Sequence, residues 1–427
     1  MTDAANTASA DRAKDHARAN LARRKRSELI LRGLGLGAIS LAFLMLFILL
    51  SSLVGTGWQA FTQTHATVII EVPADKVKEG DLAGSNWLAM VKASFATRFP
   101  DLSKKEVASA ADMLSDWTQY ALRDAVLADP TLVGGPVMLK VPVSDPYDQL
   151  NKGLINRDTP EENRRLTNDE IARFDTFVAE GAISKPFNWA LFFNADSRFP
   201  ELAGLKGALV GSFYALLTCF LLAFPLGIGA AIYLEEFAPK NRRSDFIEVN
   251  INNLAAVPSV VFGLLALAVF LGWFGMPRSA PFVGGLTLAL MTLPTIIIAT
   301  RAALKSVPPS IREAALGIGA SRQQVVFHHV LPLAMPGVLT GTIIGLARAL
   351  GEAAPLLLIG MNAFITATPD GPFAAATGLP TQILIWADST ERGFVSRTSA
   401  AVLVLLAFLL VMNGLAIYLR NRFERKW

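Results

Sequence analysis

The sequence is short of the residues on which redox, metal and many hydrolytic proteins depend. It has one cysteine, Cys219, and four histidines among its 427 residues. A single cysteine excludes a disulfide within the chain and a thiol-rich metal site. The histidines lack zinc-protease spacing, and His328 and His329 are adjacent, so on a helix they point in different directions. We therefore predict no catalytic and no metal-binding constellation.

Nucleotide-binding sequence is missing as well. No G-x-x-x-x-G-K-[ST] segment occurs anywhere in the chain. This segment is the glycine-rich loop that cradles nucleotide phosphates through its backbone amides and its lysine. The chain is thus not expected to bind ATP by that route, and we predict that it carries no cofactor of its own.

Charge is scarce and apolar residues are abundant. Charged residues make up 17% of the chain and apolar residues 52%, and the mean hydropathy is +0.42. These values are typical of an integral membrane protein. Basic residues cluster at 23–26, 240–243 and 420–426, each beside an apolar run. We interpret these clusters as cytoplasmic anchors and not as a nucleic-acid surface, since positive charge is retained on the cytoplasmic side.

The apolar runs predict an all-α polytopic membrane protein with six transmembrane helices and a small α+β domain between the first two. Each run is long enough to cross a hydrocarbon core of roughly 30 Å. The runs cover residues 29–54, 203–234, 249–274, 281–304, 333–362 and 398–420. The first run is too long for a signal peptide, so we expect it to be retained. Both termini are expected in the cytoplasm.

These boundaries predict four regions: a cytoplasmic basic tail at 1–28, a first transmembrane helix at 29–55, an extracytoplasmic insert at 56–200, and a five-helix core at 201–427. Within the insert, alternation predicts strands near 66–72 and 137–143. Capping boxes at Ser103 and Thr167 predict helices to about 123 and about 178. Its core is expected to contain six aromatic side chains: Trp87, Phe95, Trp117, Tyr120, Phe174 and Phe177. The insert is either a docking module or a simple packed domain.

A polar segment at 308–330 interrupts the core between two apolar runs. Ser310 with Glu313 and Ser321 with Gln324 have capping-box spacing, and Gly317 and Gly319 separate the two patterns. The segment predicts a helix–turn–helix elbow, with a second short helix that runs towards Pro332. Such an elbow either docks in a groove of another protein or only joins two spans.

The following apolar run contains a charge pair, Arg348 and Glu352, spaced i, i+4 on one predicted helix. Charges inside a membrane cost roughly 2.5–3.5 kcal/mol each, so they need partners or water. Gly337, Gly341 and Gly345 allow another helix to approach closely, and the charges continue that face into the bundle. Either the pair only locks helix packing, or Arg348 attracts an anion along a substrate path that Glu352 gates. In the second case Glu352 also accepts a hydrogen bond from the O–H of hydrogen phosphate.

Two stretches resemble known permeases. Glu313-Ala314-Ala315, Gly319 and Leu331-Pro332 resemble the EAA motif of bacterial ABC-importer permeases, although His329 replaces the usual isoleucine. Residues 347–358, together with 258–263 and 386–393, resemble the phosphate-specific permeases of the PstA type, and residues 56–200 resemble the extended amino-terminal region of the longer members. The resemblance implies that the elbow contacts an ATPase through Ser310, Glu313, Ala314, Ala315, Gly319, Leu331 and Pro332.

The same resemblance implies a phosphate-importing permease subunit in a bacterial inner membrane. Its implied partners are a homologous second permease, two cytoplasmic ATPase subunits that bind ATP and Mg²⁺, an extracytoplasmic phosphate-binding protein and the lipid bilayer. The alternatives are a permease for another oxyanion or small solute, and a membrane sensor or scaffold in which 56–200 binds a ligand. An intramembrane enzyme lacks any nucleophile–base or paired-carboxylate arrangement in the sequence.

Overall fold

A computed structural model describes residues 2–78 and 81–423, and most of them are helical. Within these residues, five helices are long and apolar enough to cross a membrane, or six if one sharply bent pair counts as a single span. The five are Lys25–Phe61, Lys206–Phe237, Pro281–Lys305, Arg322–Gly351 and Gly393–Arg422. The predicted polytopic all-α class is confirmed. Arg425 and Lys426 of the predicted C-terminal basic cluster lie outside the described residues.

The chain divides into two compact units after Gly55. The first unit consists of most of α1, a continuous helix over Thr2–Gly57. The predicted basic tail is therefore helical and joins the first apolar run without a break. Side chains along the apolar part of α1, such as Leu41 and Phe47, are exposed. This exposure is expected for a helix that faces lipid.

The insert belongs to the second unit and contains a small antiparallel sheet in the order β2-β1-β3. The strands are β1 (His65–Glu71), β2 (Pro136–Pro142) and β3 (Ile183–Ser184). His65 lies opposite Pro142 in β2 and Ser184 in β3. The first two strands confirm the prediction, whereas β3 has only two residues and so carries no alternation to read.

The described part of the insert also contains six helices. They are α2 (Trp87–Arg98), α3 (Lys104–Ala111), α4 (Trp117–Ala128), α5 (Asp145–Asn151), α6 (Asn168–Ala179) and α7 (Ala190–Phe193). The capping boxes predicted at Ser103 and Thr167 are both present. Alternate residues of β1, including Val68 and Ile70, are buried against α2 and α6. This packing gives the insert its own hydrophobic core.

Two expectations for the insert were wrong. The single helix predicted from 103 to about 123 is two helices, because Ser115 N–H donates to the Pro142 carbonyl and Leu114 bridges Val143. These bonds to the end of β2 replace the helical ones. Trp117 and Tyr120 are exposed, at 45% and 43%, and their rings contact each other on the surface of α4 instead of entering the core.

The permease core begins with α8 (Lys206–Ile232), which continues to Phe237. The predicted third span is not straight: α9 (Arg242–Ala255) and α10 (Ser259–Ala266, continuing to Trp273) meet at 100°. The bend lies at Pro258, whose ring disfavours helical backbone in the residue before it. No residue of α9 is fully buried, although α9 contacts α11, whereas α10 buries Phe262, Gly263 and Ala266.

The remaining core helices are α11 (Pro281–Lys305), α12 (Pro309–Gly317), α13 (Arg322–Gln324), α14 (Leu331–Gly351), α15 (Ala354–Leu358), α16 (Leu379–Ala387) and α17 (Gly393–Phe423). Helix α11 packs against both α8 and α14. The predicted span over 333–362 was wrong at its end, because the helix stops at Gly351. Pro355 lies in the first turn of α15 and not inside a continuous span.

Candidate functional site: the elbow and the Arg348–Glu352 pair

The elbow after α11 consists of α12, a tight turn and α13. Helix α12 begins after Pro308, with Pro309 in its first turn and without any side-chain cap, so the capping box predicted for Ser310 and Glu313 was wrong. Proline is well suited to the first helical turn, where its missing N–H is not needed. Gly319 has a φ of +91°, a left-handed conformation that favours glycine and ends the first half of the elbow.

The second half of the elbow is the beginning of the next membrane helix. The predicted capping box is present, with Ser321 N–H donating to Gln324 Oε1 (2.8 Å) and Gln324 N–H to Ser321 Oγ (3.3 Å). The helix then runs unbroken from Arg322 to Gly351. Prediction of a separate short helix was therefore wrong, and Leu331 and Pro332 lie inside this long helix. The backbone adopts a wider π-helical turn over Val325–Val330, just before the proline.

The elbow has an inner and an outer face. Ala315 is buried against Val325 and Val326 of the following turn. Glu313 and Ala314 are exposed, and Ile318 is 83% exposed at the tip. The first two residues of Glu-Ala-Ala are thus available to a partner, whereas the third packs the elbow on itself.

An arginine that sequence reasoning missed anchors the elbow to the core. Arg312 contacts Glu236 at 2.7 Å and donates to the carbonyl oxygens of Val307 (2.7 Å) and Leu304 (2.9 Å). The Leu304 carbonyl belongs to the last turn of α11, which a cation stabilises, and Val307 follows the end of this helix. The sequence signal that could have indicated this contact is a pair of consecutive acidic residues at the end of α8, Glu235 and Glu236.

A second arginine continues this network. Arg301 of α11 contacts Glu235 at 3.3 Å and Glu248 of α9 at 2.8 Å. Lys305 lies 3.6 Å from the same Glu235 oxygen. The ends of α8, α9 and α11 and the elbow are therefore joined by charge-assisted contacts, which hold α12 in a fixed position relative to the membrane helices.

The three predicted packing glycines of α14 lie along α11. A Cβ added to Gly337 would lie 2.6 Å from the Cβ of Ala303, and one added to Gly341 would overlap the Cβ of Ala299. At Gly345 the nearest atom would be 3.6 Å away, on Ile296. The two helices are thus closest near Gly341 and separate towards Arg348.

The charge pair lies where the two helices separate. Arg348 is in the last turn of α14, and Glu352 follows the helix end with an extended backbone. Their closest polar atoms, Arg348 Nε and Glu352 Oε1, are 3.6 Å apart. The expectation that both residues share one helix was wrong, because Glu352 follows the end of α14. On this chain the Arg348 side chain is 51% exposed and the Glu352 side chain 23%. Such an exposed charge needs a cover other than hydrocarbon.

Two family models match the chain. Residues 223–426 match the family described as "Binding-protein-dependent transport system inner membrane component", a range that includes the elbow and the charge pair. Residues 18–161 match a second model, "Domain of unknown function (DUF3333)", which covers most of α1 and much of the insert.

Among curated proteins, the chain is 37% identical over 155 residues to the probable ABC transporter permease protein YqgI of Bacillus subtilis; this covers 36% of the chain and only about half (52%) of that relative. It is 31% identical to the phosphate transport system permease protein PstA 1 of Mycobacterium tuberculosis, over 51% of the chain and 70% of the relative. It is 32% identical to the phosphate transport system permease protein PstC of Pasteurella multocida, over 61% of the chain and 86% of that relative. The chain belongs to the inner-membrane permease family of ABC importers, among the phosphate-type permeases.

Proposed function

We propose that this chain is the transmembrane permease subunit of an ATP-driven importer that moves inorganic phosphate into the cytoplasm. The observation that carries the proposal is the Arg348–Glu352 pair, which combines a guanidinium and a carboxylate at a break in a membrane helix. Two of the relatives above are named as phosphate transport permeases.

The chemistry of the pair suits a protonated oxyanion. Among the described residues, Arg348 makes no hydrogen bond and only the 3.6 Å approach to Glu352, so its fork of donors is available to an oxyanion. Glu352 supplies an acceptor for the O–H of hydrogen phosphate, which sulfate lacks at neutral pH. In this proposal Glu352, whose backbone is extended after the end of α14, faces the pathway.

The elbow is the proposed contact with a separate ATPase chain, which would bind ATP and Mg²⁺. Exposed Glu313, Ala314 and Ile318 form its outer face, while Arg312 transmits force to α8 and α11 through Glu236 and two backbone carbonyls. In this proposal, ATP binding draws two such elbows together and alternates the access of the path. Hydrolysis takes place in the ATPase, and this chain performs no bond chemistry.

A second permease subunit is the proposed cover for Arg348. Exposure of 51% for a charged side chain at the end of a membrane helix is costly against lipid. A homologous subunit with its own polar groups would enclose the path from the other side. An extracytoplasmic phosphate-binding protein would deliver the cargo, with the insert on the same side and both termini of the chain in the cytoplasm of the bacterium.

ATP-driven uptake of labelled phosphate into proteoliposomes tests the proposal. The liposomes would contain this chain, its ATPase, its co-permease and its binding protein, with Arg348→Ala and Glu352→Gln beside the wild type. We expect phosphate uptake that resists excess sulfate, and a loss of at least tenfold in Arg348→Ala, which corresponds to about 1.4 kcal/mol of lost stabilisation.

Arg242→Gln is the matched control, because Arg242 is exposed at the start of α9, makes no side-chain hydrogen bond or ion pair with another described residue, and its replacement should leave transport normal. The co-purified ATPase is quantified in each variant, so that a loss of assembly is separated from a loss of transport. If the wild-type importer took up another oxyanion but not phosphate, the assignment of phosphate as the cargo would be wrong. Full uptake by Arg348→Ala would mean that Arg348 and Glu352 stabilise helix packing and do not contact the cargo.

A further inference from the structure

A polar cavity lies where the insert meets the last membrane helix, away from the Arg348–Glu352 pair. Its volume is about 320 Å³. From the insert, it is lined by Asp145, Asp148 and Lys152; from the start of α17, by Arg392, Ser396 and Arg397. None of these residues belongs to the EAA elbow or to the charge pair. The cavity therefore needs an explanation of its own.

The acidic groups of the cavity already have partners. Asp148 accepts from Lys152 Nζ at 2.5 Å and from the Thr64 N–H at 2.9 Å. Asp145 accepts from Gln149 Nε2 at 2.6 Å and lies 3.6 Å from Arg165. Burial also raises the pKa of the Asp145 carboxyl above its usual range. The carboxylate oxygens that line the cavity are thus largely occupied by donors of the chain itself.

The basic groups have capacity left. Arg397 is only 5% exposed, and its one hydrogen bond within the described part of the chain joins Nη1 to the Ala203 carbonyl at 2.9 Å. No carboxylate among the described residues lies within 4.0 Å of its guanidinium, and the same holds for Arg392, which is exposed at the cavity mouth. A buried guanidinium with unused donors is costly unless an anion joins it.

We infer that this cavity binds a small inorganic oxyanion, held by Arg397 and Arg392 between the insert and α17. The surplus of donors over acceptors favours an anion over a zwitterion or a cation. Oxygen atoms of the ligand would accept hydrogen bonds from the unused Nε and Nη2 groups of Arg397. The planar guanidinium is well suited to bind an oxyanion through two donors at once. The ligand would join the insert to the last membrane helix and form a waiting site on the insert side of the path.

This inference rests on the proposed function only in the choice of phosphate as the first probe. Thiol labelling measures occupancy directly, without transport. Ser396→Cys places a reactive group in the cavity wall, and Ser399→Cys, on the same helix and outside the lining, is the control. The wild-type chain, whose one cysteine, Cys219, is buried, gives the background labelling. The full chain in nanodiscs is labelled with a methanethiosulfonate reagent, with inorganic phosphate varied at constant ionic strength.

We expect phosphate to slow the labelling of Ser396→Cys saturably, by about tenfold at ten times its dissociation constant, and to leave Ser399→Cys unchanged. Arg397→Gln and, separately, Arg392→Gln should abolish or weaken the protection. Arg157→Gln removes an insert charge that pairs with Asp175 and neither lines the cavity nor contacts its carboxylates, and it should keep the protection. Arg348→Ala should keep it too, which separates this site from the proposed path.

Sulfate is the second probe. Protection by sulfate as well as phosphate would support an oxyanion site even if the importer carried another cargo. Equal protection by glycine would overturn the inference in favour of a zwitterion site. It would also be overturned if neither oxyanion protected Ser396→Cys at high millimolar concentration. The wild-type arginines are present in that last experiment, so a misfolded arginine variant cannot obscure it.

Discussion

Single residues decide how closely the membrane helices of this permease approach. At Gly341 any side chain would overlap Ala299 of α11, whereas Gly345 has room for a methyl group. We expect Gly341→Ala to destabilise the chain by about 1–3 kcal/mol through overpacking, and Gly345→Ala to change stability by less than about 0.5 kcal/mol. Thermal unfolding in one detergent, followed by tryptophan fluorescence, compares the two variants directly.

The comparison is strict because both substitutions are chemically identical and lie one helical turn apart. Equal midpoints for the two variants would contradict the crossing point near Gly341. The sequence indicated that these glycines permit close packing, but it did not tell them apart. Their difference comes from the angle between α11 and α14, a property of the folded chain.

A buried acid next to the last insert residues predicts a pH dependence. Burial raises the pKa of Glu201 from 4.5 to about 7. Between these values the folded chain keeps a proton that the unfolded chain loses. The stabilisation, about 3 kcal/mol, is therefore fully present below pH 4.5 and is lost as the pH rises to about 7.

Glu201→Gln removes this dependence, because an amide does not titrate. We expect the difference in unfolding midpoint between the variant and the wild type to change from pH 4.5 to pH 7, in favour of the variant at the higher pH, and to stay constant above it. Taking the difference cancels the other titrating groups. Parallel curves for both proteins would show that Glu201 is ionised alike in the folded and unfolded chains.

At the scale of elements, the elbow depends on a side chain outside its motif. Arg312 joins α12 to Glu236 and to two carbonyls at and just after the end of α11. We expect Arg312→Ala to lower stability by about 1.5–3 kcal/mol and to reduce the co-purification of the ATPase, because α12 loses its charged anchor. Arg312→Lys should restore the positive charge but only part of the stability and ATPase binding, since lysine lacks the several fixed donors of a guanidinium.

Arg322→Ala is the control for this element. Arg322 lies in the same elbow, is exposed, and makes no side-chain contact with another described residue through a hydrogen bond or ion pair. Its removal should leave stability and ATPase binding unchanged. An Arg312→Ala chain that binds the ATPase normally would mean that the exposed Glu313 face suffices without the anchor.

For the whole molecule, the decisive property is its orientation in the membrane. The positive-inside rule and the proposed ATPase contact require the elbow and the insert on opposite sides. We expect an impermeant maleimide to label Asp158→Cys in intact spheroplasts, and Gln323→Cys only after lysis. Both positions are exposed in the structure. Labelling of Gln323→Cys in intact cells would invert the topology and exclude the elbow as the ATPase contact.

The bend at Pro258 also belongs to the whole molecule. Hydropathy treats 249–274 as one span, whereas α9 turns by 100° and pairs Glu248 with Arg301 at the end of α11. Proline at 258 indicated that a bend was possible. Its size depends on that contact and on the packing of α10 against α15, which connect residues far apart in the chain.

Sequence alone determined the local features of this protein. Apolar runs, capping boxes at Ser103, Thr167 and Ser321, the two main strands and the EAA-like elbow follow from short-range patterns, because hydrophobic period and capping act within a few residues. The permease family was likewise readable from the motifs around Glu313 and Arg348.

Tertiary structure alone decided how distant segments meet. It ended α14 at Gly351 and left Arg348 half exposed beside Glu352, placed Arg312 on Glu236, and assembled Asp145, Asp148 and Arg397 around one cavity. These contacts join residues up to about two hundred and fifty positions apart, as 145 and 397 illustrate, and no local pattern encodes such a distance. The physical reason is that charge pairing and helix crossing depend on packing of the whole core, which short-range propensities do not contain.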